Sequence, residues 1–151
     1  MARTNKDLGD WGEQFVCDEV SCPNCGKSLR LLPPSYPLFD VQCSACVFRA
    51  QVKTSPRPPG SRIRGAGWSI MSAALKTGAT VPPLLAVHAW TETGYERREV
   101  RFFPFIPRDH LKDRPLSQNT DHPRASYRMF EYVRMNELPY FRLLQSPPHE
   151  A

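Results

Sequence analysis

Apolar positions first fall into register at Leu8, Trp11, Phe15 and, less regularly, Val16, inside a stretch from Asp7 to Val20 that carries acidic residues early. That spacing, with negative charge near the start, predicts an N-terminal amphipathic helix. Cys22-Pro-Asn-Cys25-Gly-Lys reads as a tight turn. Leu38-Phe-Asp-Val-Gln-Cys and Val47-Phe-Arg-Ala-Gln-Val-Lys read as two strands joined by Cys43-Ser-Ala-Cys46, a hairpin with a cysteine turn. From Thr54 to Gly67 there are three Pro, three Gly and three Arg and no hydrophobic period, which predicts a loop.

A second helix is predicted from Trp68 to Thr77, with Ile70, Met71, Ala74 and Leu75 as its apolar set and Gly78 as its stop. Within Val81 to Thr91, Leu84-Leu-Ala-Val-His-Ala-Trp reads as a buried strand. Glu99 to Ile106 reads as its antiparallel partner across a turn at Thr93-Gly-Tyr. Pro107 to Arg124 is loop-like with one short helical turn, and Ala125 to Val133 fits a strand or a helix. No internal repeat and no domain linker is visible.

A chain of 151 residues, 40% hydrophobic, is the size of one domain, so residues 1–151 are taken as a single zinc-containing unit. No run approaches the roughly 18 apolar residues of a membrane span, and Met1 to Asp7 lacks the apolar centre of a secretory signal, so a cytoplasmic protein with no membrane partner is expected. The formal charge of +5 favours a polyanionic partner only slightly. Its distribution says more: Arg57, Arg62 and Arg64 share the Pro/Gly-rich loop, and Arg97, Arg98, Arg101, Arg124, Arg128 and Arg134 recur downstream. Guanidinium forks suit phosphate.

Cys22-x-x-Cys25 is followed by Cys43-x-x-Cys46. Two such turns can close a tetrahedral four-thiolate zinc site with no open position for water, hence a structural ion. Gly26 after Cys25 suits the turn because it accepts positive φ. Two disulfides compete with zinc, but five cysteines and a reducing compartment argue against them. Cys17 is left as a buried thiol of the first helix.

Folding the hairpin about the midpoint of Cys43 to Cys46 sets Asp40 opposite Arg49, and the period of two puts Arg49, Gln51 and Lys53 on one face. Asp40, Gln51 and Lys53 should therefore cluster, since diagonal neighbours lie roughly 7 Å apart. Asp40 and the Gln51 carbonyl suit Mg²⁺, and Lys53 suits the orientation or deprotonation of an attacking water, the ingredients of phosphodiester hydrolysis. Glu13 on the first helix is the candidate further carboxylate. The same residues also fit a strand-end cap, a solvated strand face and a helix exterior.

Ser-Cys-Pro-Asn-Cys-Gly, then Phe39-Asp40-Val-Gln-Cys43-Ser-Ala-Cys46, then Gln51-Val-Lys53-Thr-Ser resembles the catalytic domain of the Dpn I-type restriction endonucleases of the PD-(D/E)xK nuclease superfamily. The resemblance continues through Gly65-Ala-Gly-Trp-Ser-Ile-Met-Ser-Ala-Ala-Leu-Lys, Phe105-Ile-Pro-Arg and Arg114-Pro-Leu-Ser. It implies an α/β fold, a mixed sheet flanked by helices with an inserted four-cysteine zinc site. It also implies Mg²⁺-dependent cleavage of double-stranded DNA and a preference for adenine-methylated sites. The chain departs from the family at Gln51, where an acidic residue is expected, and it ends at Ala151 without room for the winged-helix domain those enzymes carry.

Arg57, Arg62 and Arg64 are the candidate clamps on DNA phosphates. His88 reads as a buried neutral histidine, and Trp68, Trp90, Phe102 and Phe130 as core before base-stacking groups. Two functions emerge. One is a metal-dependent DNA endonuclease, acting as a monomer or as a transient dimer on DNA. The other is a zinc-stabilised DNA-binding module whose nuclease site has decayed at Gln51.

Overall fold

The computed structural model describes residues 5–114 and 129–146. Helix α1 (Asn5–Glu19) leads into β1 (Leu29–Leu31), β2 (Val41–Cys43) and β3 (Arg49–Ser55). Then come β4 (Ile63–Ala66), α2 (Trp68–Lys76), β5 (Leu84–Glu92), β6 (Tyr95–Phe103), β7 (Leu111–Arg114), β8 (Met129–Tyr132) and β9 (Phe141–Ser146). Six strands form a mixed sheet in the order β1-β2-β3-β5-β6-β9, and three form an antiparallel sheet in the order β4-β8-β7. Among the described strands only β3 and β5 run parallel, with β4 and α2 in the crossover between them.

The large sheet is buried on both faces. On one, Val41, Ala50, Val52, Leu85, Val87 and Val100 meet Val16 and Val20 of α1. On the other, Leu84, Ala86 and Phe103 meet Met71 of α2 and Phe130 and Tyr132 of the small sheet. This double burial explains the unbroken apolar run at the start of β5, which a strand covered on one side would not need. Helix α1 sits very close to β3: a Cβ built on Gly12 would meet Thr54 Oγ1 at 1.8 Å. None of the helices among the described residues is long and apolar enough to cross a membrane.

The two predicted helices, the β5 strand and the Thr93-Gly94 turn appear where the pattern puts them; both turn residues have positive φ, as a two-residue hairpin turn requires. The expected loop from Thr54 to Gly67 is not all loop. Ile63-Arg-Gly-Ala forms β4, and its glycine hides the pattern because the place of a side chain is filled by the Phe130 ring. The partner of β5 starts earlier than expected, at Tyr95, and stops at Phe103, since Pro104 has no N–H for the ladder. Beyond Pro107 the expected loop contains β7, and Met129–Tyr132 is a strand rather than a helix. Arg124, Arg128 and His122 lie outside the described residues.

Candidate metal centre and acid–lysine cluster

The Sγ atoms of Cys22, Cys25, Cys43 and Cys46 all lie within 4.8 Å of one another, with Cys22 to Cys46 at 3.6 Å and Cys25 to Cys43 at 3.4 Å. Zinc with sulfurs at about 2.3 Å in a tetrahedron spaces them about 3.8 Å apart. The two turns are built alike: Asn24 N–H reaches Cys22 Sγ at 3.4 Å, and Ala45 N–H reaches Cys43 Sγ at 3.3 Å. Gly26 takes positive φ, as the turn demands. Four close thiols with N–H donors on their sulfurs can hold a metal ion such as zinc. Cys17 stands apart, partly buried against the α1 core, its thiol pushed up to about 11 by burial.

This centre ties the chain after α1 to the β2–β3 hairpin, but the hairpin does not fold about the cysteine midpoint. Cys43 N–H bonds to Phe48 O at 2.9 Å, so Ser44 to Val47 form the loop, with Val47 at its tip 92% exposed. The register is Val41 with Ala50 and Gln42 with Arg49. Asp40 therefore comes level with Gln51, not with Arg49 as the midpoint predicts; a shift of two keeps the side-chain parity. Arg49 turns instead to the Tyr36 hydroxyl at 3.0 Å.

The ladder between β2 and β3 stops at Asp40. Its N–H bonds to Ala50 O at 3.0 Å, and its carboxylate Oδ2 then accepts the next free amide of β3, Val52 N–H, at 2.7 Å. Past that point β3 has no β2 partner among the described residues, and Glu13 of α1 comes near enough to feel the charges of Asp40 and Lys53. Each of Glu13, Asp40 and Lys53 feels the charge of the other two or of its neighbour. Burial, then Asp40 and Asp10, push Glu13 up to about 7 against the pull of Lys53. Burial raises Asp40, opposed by the Val52 hydrogen bond and by Lys53. Burial lowers Lys53, opposed by Asp40 and Glu13.

Two further residues belong to this cluster: Tyr132, which the sequence does not single out, and Phe130, which it marks only as core or base-stacking. Tyr132 O–H donates to Gln51 Oε1 at 2.6 Å, and the Lys53 ammonium lies 5.6 Å from the centre of the Phe130 ring. Both come from β8, whose Phe-Glu-Tyr alternation marks an inward aromatic face only once it is known to be a strand. Burial, with Asp40 adding to it, raises the Tyr132 phenol further, so the hydroxyl stays a donor. The Gln51 carbonyl expected to face a metal is thus already engaged on one side.

Arg57, Arg62 and Arg64 do not join this cluster. Arg57 is held by its backbone, its carbonyl accepting from His88 Nδ1 at 3.2 Å. Arg62 and Arg64 lie on the face of the small sheet opposite Phe130 and Tyr132, with Arg64 paired across from Glu131. Phe102 and Phe130 are core, and His88 is buried, with its basicity reduced by that burial. A comparison with known protein families and with curated proteins finds no match to this chain.

Proposed function

We propose that the chain is a metal-dependent endonuclease acting on double-stranded DNA, with a PD-(D/E)xK-like sheet and a structural Zn²⁺ on Cys22, Cys25, Cys43 and Cys46. The observation that carries this reading is the convergence of Glu13, Asp40 and Lys53 where the pairing of β2 with β3 ends, beside the hairpin of Cys43 and Cys46. Two buried carboxylates whose proton affinities are raised, Glu13 in part by the charge of Asp40, are a site short of positive charge, and their hard oxygens suit Mg²⁺. Glu13, Asp40 and the remaining lone pair of the Gln51 carbonyl would hold that ion. When bound, it polarises the phosphate and makes its water acidic.

Lys53 has the complementary task. Its ammonium is desolvated against Phe130, so its charge acts strongly on a phosphate oxygen, and its lowered proton affinity suits it to orient or deprotonate water. Asp40 is fixed by the Val52 amide and cannot swing away as the charge develops. The test is conversion of supercoiled plasmid to nicked or linear DNA in Mg²⁺, lost in Asp40→Ala and in Lys53→Ala.

The second reading is a zinc-stabilised DNA-binding module with a decayed site, favoured by the Tyr132 hydrogen bond that occupies Gln51. It keeps DNA binding and loses metal-dependent cleavage. Preference for adenine-methylated DNA, monomeric or transiently dimeric action, and a cytoplasmic setting belong to the nuclease reading as proposals.

A further inference from the structure

We propose that the outer face of the small sheet, β4-β8-β7, docks the phosphate backbone of duplex DNA. The choice of DNA rests on the reading above; the surface itself rests on the sheet. Arg64, Glu131 and Lys112 form one cross-strand row, because Arg64 pairs with Glu131 and Lys112 pairs with Glu131 on the other side. Arg114, two residues along β7, and Arg62, just before β4 on the other side of the row, both reach the Glu131 carboxylate. All four cations are exposed, whereas Glu131 is buried. The other side of the sheet is closed by Ile63, Phe130 and Tyr132 in the core, so this face can only look outward.

The charge on this face is out of balance in a way that the other arginine-rich strand is not. On β6, Arg97 pairs with Glu92, Arg98 with Glu96 and Arg101 with Glu99. On the outer face of the small sheet four cations surround one carboxylate, Glu131, which pairs with Arg62 and Arg114, and neither Arg64 nor Lys112 forms an ion pair among the described residues. Side chains two residues apart on a strand are roughly 6.7 Å apart, and neighbouring strands roughly 4.8 Å. The four cations thus make a staggered array around a recessed acid, Arg62 on one side of the Arg64–Lys112 row and Arg114 on the other, and the acid also orders the two guanidinium groups. A rigid array of this kind fits a regular polyanion, duplex DNA carrying one charge per roughly 1.7 Å of axis. Such contacts position the duplex and carry no sequence information.

The test is fluorescence anisotropy of a labelled duplex against the zinc-loaded full chain from low to high salt. It compares wild type, Arg64→Gln/Lys112→Gln and a charge-matched control, Lys27→Gln/Arg30→Gln, with thermal melts to show that each variant folds. The expected result is a loss of at least tenfold in affinity for the first variant, with the slope of log affinity against log salt reduced by about 0.9 for each contact removed. The control should stay close to wild type. Equal losses in the two variants, or an unchanged slope in the first, would overturn the proposal. Binding of an RNA duplex in place of DNA would overturn it as well. Plasmid cleavage run in parallel separates the two claims. Binding lost only in the first variant, with no cleavage by wild type, leaves the surface standing and removes the nuclease; cleavage by wild type with binding unaffected in the first variant does the reverse.

Discussion

Tyr132 on β8 donates a 2.6 Å hydrogen bond to the side-chain carbonyl of Gln51 on β3, joining the small sheet to the large one next to Asp40. The bond is buried, and Gln51 and Tyr132 are 7% and 0% exposed, so neither group can turn to water in its place. Tyr132→Phe leaves the Gln51 carbonyl without that donor and should cost about 1–3 kcal/mol in urea denaturation. A loss below the error of the fit would mean that the pair holds nothing together.

Glu13 supplies a pH dependence of definite sign. Its proton affinity in the folded chain lies near 7, above the ordinary carboxylate value of 4.5. Its contribution to stability is therefore fully present below about 4.5 and is lost as pH rises through about 7. Metal-free protein should lose melting temperature across that window relative to Glu13→Gln. Mg²⁺ binding should strengthen as pH rises through about 7, because the ion competes with the proton for the same oxygens. Parallel pH profiles for the two proteins would contradict this.

Much of this cluster is visible in the sequence because the cysteines make it so. Two cysteine turns fix which strands are neighbours, and the period of two then assigns Asp40, Gln51 and Lys53 to one face, an assignment that survives the observed register shift because the shift is two. The register itself is not visible, since nothing in Cys43-Ser-Ala-Cys46 says that Val47 belongs to the loop. The small sheet is hidden for a different reason. Its strands are four residues each, β4 has Gly65 where an apolar side chain would signal burial, and its pattern depends on Phe130 from a distant segment covering that glycine. Arg62 and Arg64 consequently look like loop residues following β3, when Arg64 belongs to the outer face of a separate sheet and Arg62 stands at its start.

The four cysteines should bind one zinc per chain, measured by metal analysis of purified protein. Chelation should melt β1, β2 and β3 together, because structural zinc supplies binding energy of about 10–16 kcal/mol in small zinc-finger folds. Cys22→Ser should lose the metal and lower the melting temperature, with no recovery on adding zinc. Unchanged melting after complete metal removal would show that the thiols pack without an ion.

Gly12 tests how Glu13 is placed. A Cβ there would meet Thr54 Oγ1 at 1.8 Å and Thr54 Cβ at 2.9 Å, so a change of Thr54 rotamer alone cannot clear it. Gly12→Ala should push α1 off β3, costing about 1–3 kcal/mol by denaturant unfolding. It should also weaken Mg²⁺ binding more than its stability loss explains, as Glu13 moves with the helix. Thr54→Gly should restore part of both, and strictly additive effects would contradict direct contact.

Cleavage of plasmid DNA tests whether Asp40 and Lys53 serve a hydrolytic site. Zinc-loaded wild type, Asp40→Ala and Lys53→Ala are incubated with adenine-methylated and unmethylated supercoiled plasmid, with Mg²⁺, Mn²⁺ or chelator. The expected result is metal-dependent nicking or linearisation by wild type, abolished in both variants, with all three proteins still binding DNA. Cleavage that survives in both variants, or DNA bound by wild type and never cut with either metal, would contradict it.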